Sequence, residues 1–513
     1  MLASTESLWV DELHSSWSIS GTFGQIADRA SAGNQTPIYL WSLWLVDATV
    51  GRILSSEASL RLLSWTAWMS TLWLVARSSG GSGPVGGIVA ATQTTTRNMM
   101  QLGLWAASWL VFDRIQLFYA SEARVYAIIQ LLSVVGWLLV CRIIRSATPT
   151  SDSSPIAHSQ LGKWLAAWSL LSILIVALHL TAAIAVAAQW LYLCGWIFSN
   201  RGHNRSRELT LCLASAAVVA IGCVPWVTQS HDIWERRSAW ESFAGDTSWW
   251  NTLTLFPLLV FLIPIALGRL ADRWLSAGRS TNGPIPSTYL WLIAACGPWL
   301  IAWIVTSLGI APLFHRRFVI ASAVPLAICA AQQLHQIQSN WLRRLVGICV
   351  LMSLLVSQGT VVIWCSGQWA GWQRAEGWRQ ATAWLDGRVA SADTLWVASG
   401  LIEGRGVSIP ISEPLDQYLS FPLRGCYQVR DLSGAPVRPH GLVNDWHQWP
   451  NQFQLVDSRN HWIVYRGPAD ALNKILAELP RESANPWIIT QSPQAFGRVS
   501  VAAVGMTRPS STP

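Results

Sequence analysis

The sequence predicts a polytopic α-helical membrane protein that ends in a small extracytoplasmic α/β domain. Three observations carry this reading. Apolar residues make up 51% of the 513 and charged residues only 12%, with a mean hydropathy of +0.33, which is too apolar for an ordinary soluble protein. Apolar runs of about 18 or more residues, long enough to cross a ~30 Å hydrocarbon core, recur between residues 59 and 364. Beyond residue 364 the chain becomes polar and richer in Pro, and no further run of that kind follows.

Taken in order, residues 1–37 read as a polar, partly helical external loop closed by Asn34-Gln35-Thr36-Pro37. The segment 38–54 is apolar but carries Asp47 and Arg52, so it is either an eleventh span or a helix lying at the interface. Ten spans are expected at 59–77, 98–118, 125–145, 164–180, 181–199, 210–228, 251–269, 289–309, 317–335 and 343–364. Residues 164–199 also fit one long broken helix. The Gly/Ser-rich stretch 78–87 and the Ser/Thr/Pro-rich stretch 146–160 read as connecting loops. In the tail, Glu376–Val389 has helical periodicity with Trp378, Ala381 and Leu385 on one face. Thr394–Ala398, His461–Tyr465 and Trp487–Thr490 look like strands, and Ala469–Leu479 looks like a helix. The expected divisions are 1–58 (acidic loop and interfacial helix), 59–364 (membrane domain) and 365–513 (α/β domain).

Charge sets the expected orientation. One set of alternate connectors collects Arg77, Arg97, Arg142, Arg145, Lys163, Arg201, Arg205, Arg207, Arg269, Arg273, Arg279, Arg343 and Arg344. The other holds Arg124, Arg236, Arg237, Arg316 and Arg317. The richer set belongs in the cytoplasm by the positive-inside rule, which places both termini and the tail outside a plasma (inner) membrane. The net charge of +8 is thus a topology signal, and no basic face interleaved with aromatics points to nucleic acid. Seven of the nine Cys (141, 194, 212, 223, 296, 329, 349) show no metal-ligand spacing, and a disulfide between the external Cys365 and Cys426 stays open. Residues 1–37 lack the basic start and apolar core of a signal peptide.

Several short patterns then fall in a telling order. Ser7-Leu8-Trp9-Val10-Asp11-Glu12 precedes Thr36-Pro37-Ile38-Tyr39 and Ser59-Leu60-Arg61-Leu62-Leu63-Ser64. Phe118-Tyr119-Ala120-Ser121-Glu122-Ala123-Arg124-Val125-Tyr126, Leu178-His179-Leu180-Thr181 and Val224-Pro225-Trp226 follow. Phe314-His315-Arg316-Arg317-Phe318 and Gly377-Trp378-Arg379-Gln380-Ala381 complete the set. Over about 400 residues this set resembles the GT-C polytopic glycosyltransferases, in the bacterial branch of protein O-mannosyltransferases and lipid A aminoarabinose transferases.

The resemblance implies transfer of a sugar, with inversion, from a polyprenyl-phosphate-linked donor on the external face. It implies Asp11 as base within the Asp11-Glu12 pair, Glu122 as a second acidic group, and Arg124, Arg316 and Arg317 on the donor phosphate. His179 is a further candidate. The chemistry agrees: a carboxylate that takes the acceptor hydroxyl's proton contributes about 10²–10⁴-fold. Arg donors stabilise the growing charge on a phosphate leaving group. No cofactor is assigned. A divalent metal bridging Asp11 and Glu122 to the phosphate stays open, because its ligand set cannot be read from sequence. The acceptor is a lipid, a glycan or a protein.

Each group also has a plainer use. Asp11-Glu12 suits the first turn of an interfacial helix, Glu122 and Arg124 suit a structural ion pair, and Arg316-Arg317 suit snorkelling anchors. Asp246, in the loop 229–250, suits simple contact with water. The family carries a complete membrane helix before the acidic loop, whereas only ten residues precede Asp11 here. The expectation is an upstream start or a truncation. The competing readings are a lipid-linked saccharide transporter or flippase, and a degenerate non-catalytic relative.

Overall fold

The computed structural model describes residues 6–78, 93–147, 155–199, 205–235, 287–366 and 374–506, apart from 457 and 480–486. It also describes 247–275 apart from 249, 252–254 and 256, so Asp246 lies outside the described residues. The chain forms two compact units, Met1–Leu62 with Trp372–Pro513, and Leu63–Gly371.

The first unit opens with three short helices, α1 (Val10–Ile19), α2 (Gln25–Ala32) and α3 (Pro37–Val50), and takes in the start of α4 (Ser56–Ser78). The first backbone N–H groups of a helix have no partner within it, and acidic groups suit them. Here Glu12 Oε2 accepts the Trp9 N–H at 3.3 Å and Glu376 Oε2 accepts the Val10 N–H at 3.0 Å. Helix α3 begins on Pro37, whose fixed φ suits that position. Its 14 residues span about 21 Å, shorter than the ~30 Å core. Tyr39, Leu40 and Leu43 are buried, whereas Leu45 is exposed, and Phe23 stacks on Trp41 at 5.3 Å. Asp47 accepts the Ser59 hydroxyl at 2.7 Å.

The tail in this unit carries a five-stranded mixed sheet built from β1 (Thr394–Ala398), β2 (Pro439–Gly441), β3 (Asn460–Tyr465), β4 (Trp487–Phe496) and β5 (Val499–Met506). The order is β2-β1-β3-β5-β4, with β1 parallel to β2 and β3, and the β3–β5–β4 pairs antiparallel. Trp396 of β1 stands in register with His440 on one side and Ile463 on the other. The helices α16 (Trp378–Leu385), α17 (Glu413–Leu419), α18 (Trp449–Gln454) and α19 (Ala469–Ala477) belong to this tail, and residues of α18 and α19 share a core with Trp396, Ile463 and Val504. Trp378, Ala381 and Leu385 are buried together, as their spacing predicts, and burying a Leu of this kind stabilises by roughly 1.5–3 kcal/mol.

The second unit continues from α4 into α5 (Gln93–Phe112), α6 (Arg114–Ala120), α7 (Tyr126–Ala147), α8 (Pro155–Leu178), α9 (Ala183–Ser199) and α10 (Arg205–Glu235). It goes on through α11 (Leu258–Leu275), α12 (Ser287–Ser307), α13 (Ala323–His335), α14 (Asn340–Ser357) and α15 (Thr360–Cys365). Among the described residues, six helical stretches are long and apolar enough to cross a membrane, with shorter apolar ones at Gln101–Phe112 and Ile320–His335. The expected span 98–118 is cut at Asp113, whose Oδ1 takes the Ile115 N–H at 2.9 Å and caps α6. The expected span 343–364 is cut at Gly359, which adopts a left-handed φ of 66° open to glycine. Residues 164–199 are broken at His179, which is extended at φ −162°, ψ 118°.

Candidate active site

In the second unit the chain turns sharply between α6 and α7, and this turn carries Glu122 and Arg124. Glu122 is buried, and its carbonyl accepts the Arg124 N–H at 2.8 Å and the Ser64 hydroxyl at 2.5 Å. The same hydroxyl lies 3.0 Å from the Arg124 carbonyl, so α4 pins the turn. Arg124 is half-buried.

A second irregular segment, residues 309–319, follows α12. The Thr306 hydroxyl accepts the Leu313 and Phe314 N–H groups at 2.9 and 2.8 Å, which fixes how the chain leaves the helix. Arg316 Nε donates to the Leu255 carbonyl at 2.6 Å. The Arg317 guanidinium sits 4.8 Å from the centroid of the Phe318 ring, a cation–π contact. Its Nε is buried and has no hydrogen-bond partner among the described residues. The Arg317 N–H donates to His315 Nδ1 at 3.3 Å. Burial, together with Arg317 and Arg316, pushes His315 down to about 4, so it is neutral at pH 7 and free to accept that bond.

These two segments converge. The ring of His179 lies 5.7 Å from that of Tyr126 and 6.0 Å from that of Phe318, and its Nδ1 is 2.8 Å from the Thr181 hydroxyl. The charges of Arg124 and Arg317 reach His179, and those of Glu122, Arg316 and Arg317 reach Tyr119. Glu122, Arg124, His179, Arg316 and Arg317 therefore form one cluster, with Tyr119, Tyr126 and His315 added by the structure. Three guanidinium groups stand in this cluster with Glu122, and the charge of Arg316 also reaches Asp113. Planar guanidinium groups suit a multidentate acceptor such as phosphate.

The acidic pair lies in the first unit, and its two members sit in opposite environments. Asp11 is half-buried on α1, and the pair's second member, Glu12, is wholly buried. Arg61 grips Glu12 with Nε–Oε1 at 2.8 Å and NH2–Oε2 at 2.6 Å, and Arg374 Nε approaches Oε2 at 3.3 Å. Arg374 also binds Glu6 at 2.9 Å, and Arg61 reaches the Glu6 carbonyl at 3.0 Å. Nearby, the Tyr427 hydroxyl donates to Glu57 at 2.8 Å and accepts the Leu8 N–H at 3.1 Å. Sequence reasoning left Arg61 and Arg374 unassigned. The signal for Arg61 was there: an Arg inside an apolar run must have a partner.

Among the described residues, no group of three or more His, Cys, Asp or Glu side chains is placed to hold a metal ion.

The chain thus combines apolar helices long enough to cross a membrane with an appended mixed sheet. Among solved structures, ArnT from Cupriavidus metallidurans bound to undecaprenyl phosphate aligns over 98% of this chain and 95% of its own, with a TM-score of 0.52 at 13% identity. ArnT is a lipid A aminoarabinose transferase, and this chain shares its GT-C fold. The apo-state structure of ArnT aligns over the same shares at 12% identity and a TM-score of 0.41. No protein-family model and no curated protein sequence matches the chain.

Proposed function

We propose that this chain is a membrane glycosyltransferase that moves a sugar from a polyprenyl-phosphate carrier to an acceptor hydroxyl, with inversion and with Asp11 as base. The observation that carries the proposal is the cluster of Arg124, Arg316 and Arg317, in which the buried Arg317 Nε has a donor to offer. The undecaprenyl phosphate in the ArnT structure of the same fold supports a lipid-phosphate donor. As the glycosidic bond breaks, negative charge grows on the phosphate, and preorganised guanidinium donors stabilise that charge best where water is scarce.

Within the acidic pair the proposal separates the roles. Glu12 is held by Arg61 and Arg374 and orients the start of α1. Asp11, half-buried and next to it, takes the proton from the acceptor hydroxyl. Glu122 and His179 line the donor cluster. The charge asymmetry of the connectors supports an extracytoplasmic reaction at the inner membrane.

The test is transfer of label from a radiolabelled polyprenyl-phosphate sugar pool in membranes that express the chain. Asp11→Asn is expected to lower transfer by about 10²–10⁴-fold with expression unchanged. Arg317→Ala is expected to lower it by about 10²–10³-fold. Equal transfer in wild type and Asp11→Asn removes Asp11 from the mechanism. Movement of labelled donor across the bilayer without transfer supports the transporter reading instead.

A further inference from the structure

The tail domain holds a cavity of about 320 Å³, within the ~300–1,000 Å³ range of small-molecule sites. It lies over one face of the sheet, beside the paired residues Trp396 and His440, between the start of α17 and the end of α18. None of its residues belongs to the acidic pair or to the arginine cluster.

Its polar side is a fixed network. Asp416 Oδ1 accepts the Gly441 N–H at 2.7 Å and lies 3.6 Å from His440 Nδ1, while Oδ2 meets Arg424 NH2 at 3.1 Å. Burial works to raise the Asp416 pKa, but His440, Gly441 and Arg424 together hold it below the usual carboxylate range, so it stays charged. The His440 side chain is 30% exposed, so its ring is accessible to a ligand. At the rim, Arg438 NH2 lies 3.2 Å from Glu413 Oε1. Trp396, Ile411 and the 61% exposed Leu455 add an apolar wall.

The charge balance selects the ligand class. An anion such as phosphate would meet Asp416 and Glu413, and a polyamine would meet Arg438. A neutral ligand whose groups both donate and accept can bond carboxylate, imidazole and guanidinium at once while laying an apolar face on the wall. Saccharides have that chemistry. We infer that this cavity is a carbohydrate-binding site, of mono- or disaccharide size, separate from the residues proposed for transfer.

The experiment is saturation-transfer difference NMR on the full chain in nanodiscs free of glycoside detergent. The probes are methyl glycosides of mannose, galactose, N-acetylglucosamine and arabinose, with inorganic phosphate and putrescine as competitors. At least one glycoside is expected to receive saturation from the wild type. Its affinity should fall tenfold or more in both His440→Gln and Leu455→Trp. The Leu455 variant fills the cavity from an exposed position and so tests the site without disturbing the Asp416 network. No transfer to any glycoside, signals that persist in either variant, or displacement by phosphate or putrescine would overturn the inference. Binding is read without donor or turnover, and Asp11→Asn is expected to bind as the wild type does. A failure of the transferase proposal therefore leaves this result readable.

Discussion

Adjacent residues of the same charge can do opposite things, and Asp11 and Glu12 show how. Both are carboxylates on the first turn of α1, yet Glu12 is wholly buried between Arg61 and Arg374 while Asp11 is half-buried. Removing one member of a buried ion pair leaves the other charge uncompensated and costs about 3–5 kcal/mol. Glu12→Ala is therefore expected to abolish slow amide exchange across residues 8–19, as read by hydrogen-exchange mass spectrometry, whereas Asp11→Asn leaves it intact. Equal protection in both variants would show that the ion pair does not hold the helix. The sequence made the acidic pair visible but not its division of labour. Arg61 lies 49 residues away and Arg374 lies in the tail, and no local pattern encodes such partners. The arginine cluster makes a parallel case. Arg317→Lys keeps the charge but loses the planar fork and its stacking on Phe318, so it is expected to restore little of the transfer lost in Arg317→Ala.

At the scale of elements, what was legible follows the range of the signal. Strand β1 matches the expected Thr394–Ala398, and the buried face of α16 matches its spacing, because alternation and the 3.6-residue period are local. Breaks inside apolar runs were not legible: Asp113 and Gly359 stop helices through a side-chain cap and a left-handed φ that hydropathy does not register. Strand β5 escaped too, since Val499–Met506 is defined by pairing with β3 and β4 rather than by its own pattern. The sheet carries a pH prediction of its own. His461 on β3 is buried, and its Nδ1 accepts the Trp396 indole N–H at 3.0 Å, which requires a neutral ring. Burial, only partly opposed by Asp393, pushes it down to about 4 from an ordinary ~6.5. Its folded pKa is the lower, so the unfolded chain binds more protons between these values. The stabilisation is complete above about pH 6.5 and declines as pH falls toward about 4. Exchange in β1 and β3 is expected to accelerate over that window, and the dependence should flatten in His461→Gln. A wild-type profile flat from pH 7 to 4 would remove His461 from the account.

The whole molecule joins sequence ends that local reading keeps apart. The sequence suggests an opening loop and interfacial helix, a membrane domain and a tail, whereas Met1–Leu62 and Trp372–Pro513 fold as one unit. The links are specific. Glu376 caps α1 through the Val10 N–H and holds Arg466 at 2.8 Å, Arg374 pairs with Glu6, and Cys426 N–H donates to Ser16 at 2.9 Å. The ring of Phe421 stacks with Trp17 at 6.0 Å and meets His14 edge-on at 5.3 Å. A chain ended after Gly371 would lose every one of these partners, while the helices of Leu63–Gly371 keep their own packing. Truncation there is expected to leave the spanning helices protected from exchange, to expose residues 6–50, and to abolish transfer to the level of Asp11→Asn. The tail would then act on the reaction by building the ground on which α1 stands, quite apart from any ligand it binds. Residues 6–50 that stay protected in the truncated chain would show that α1 folds without the tail. Transfer that survives truncation would detach the tail from the base altogether.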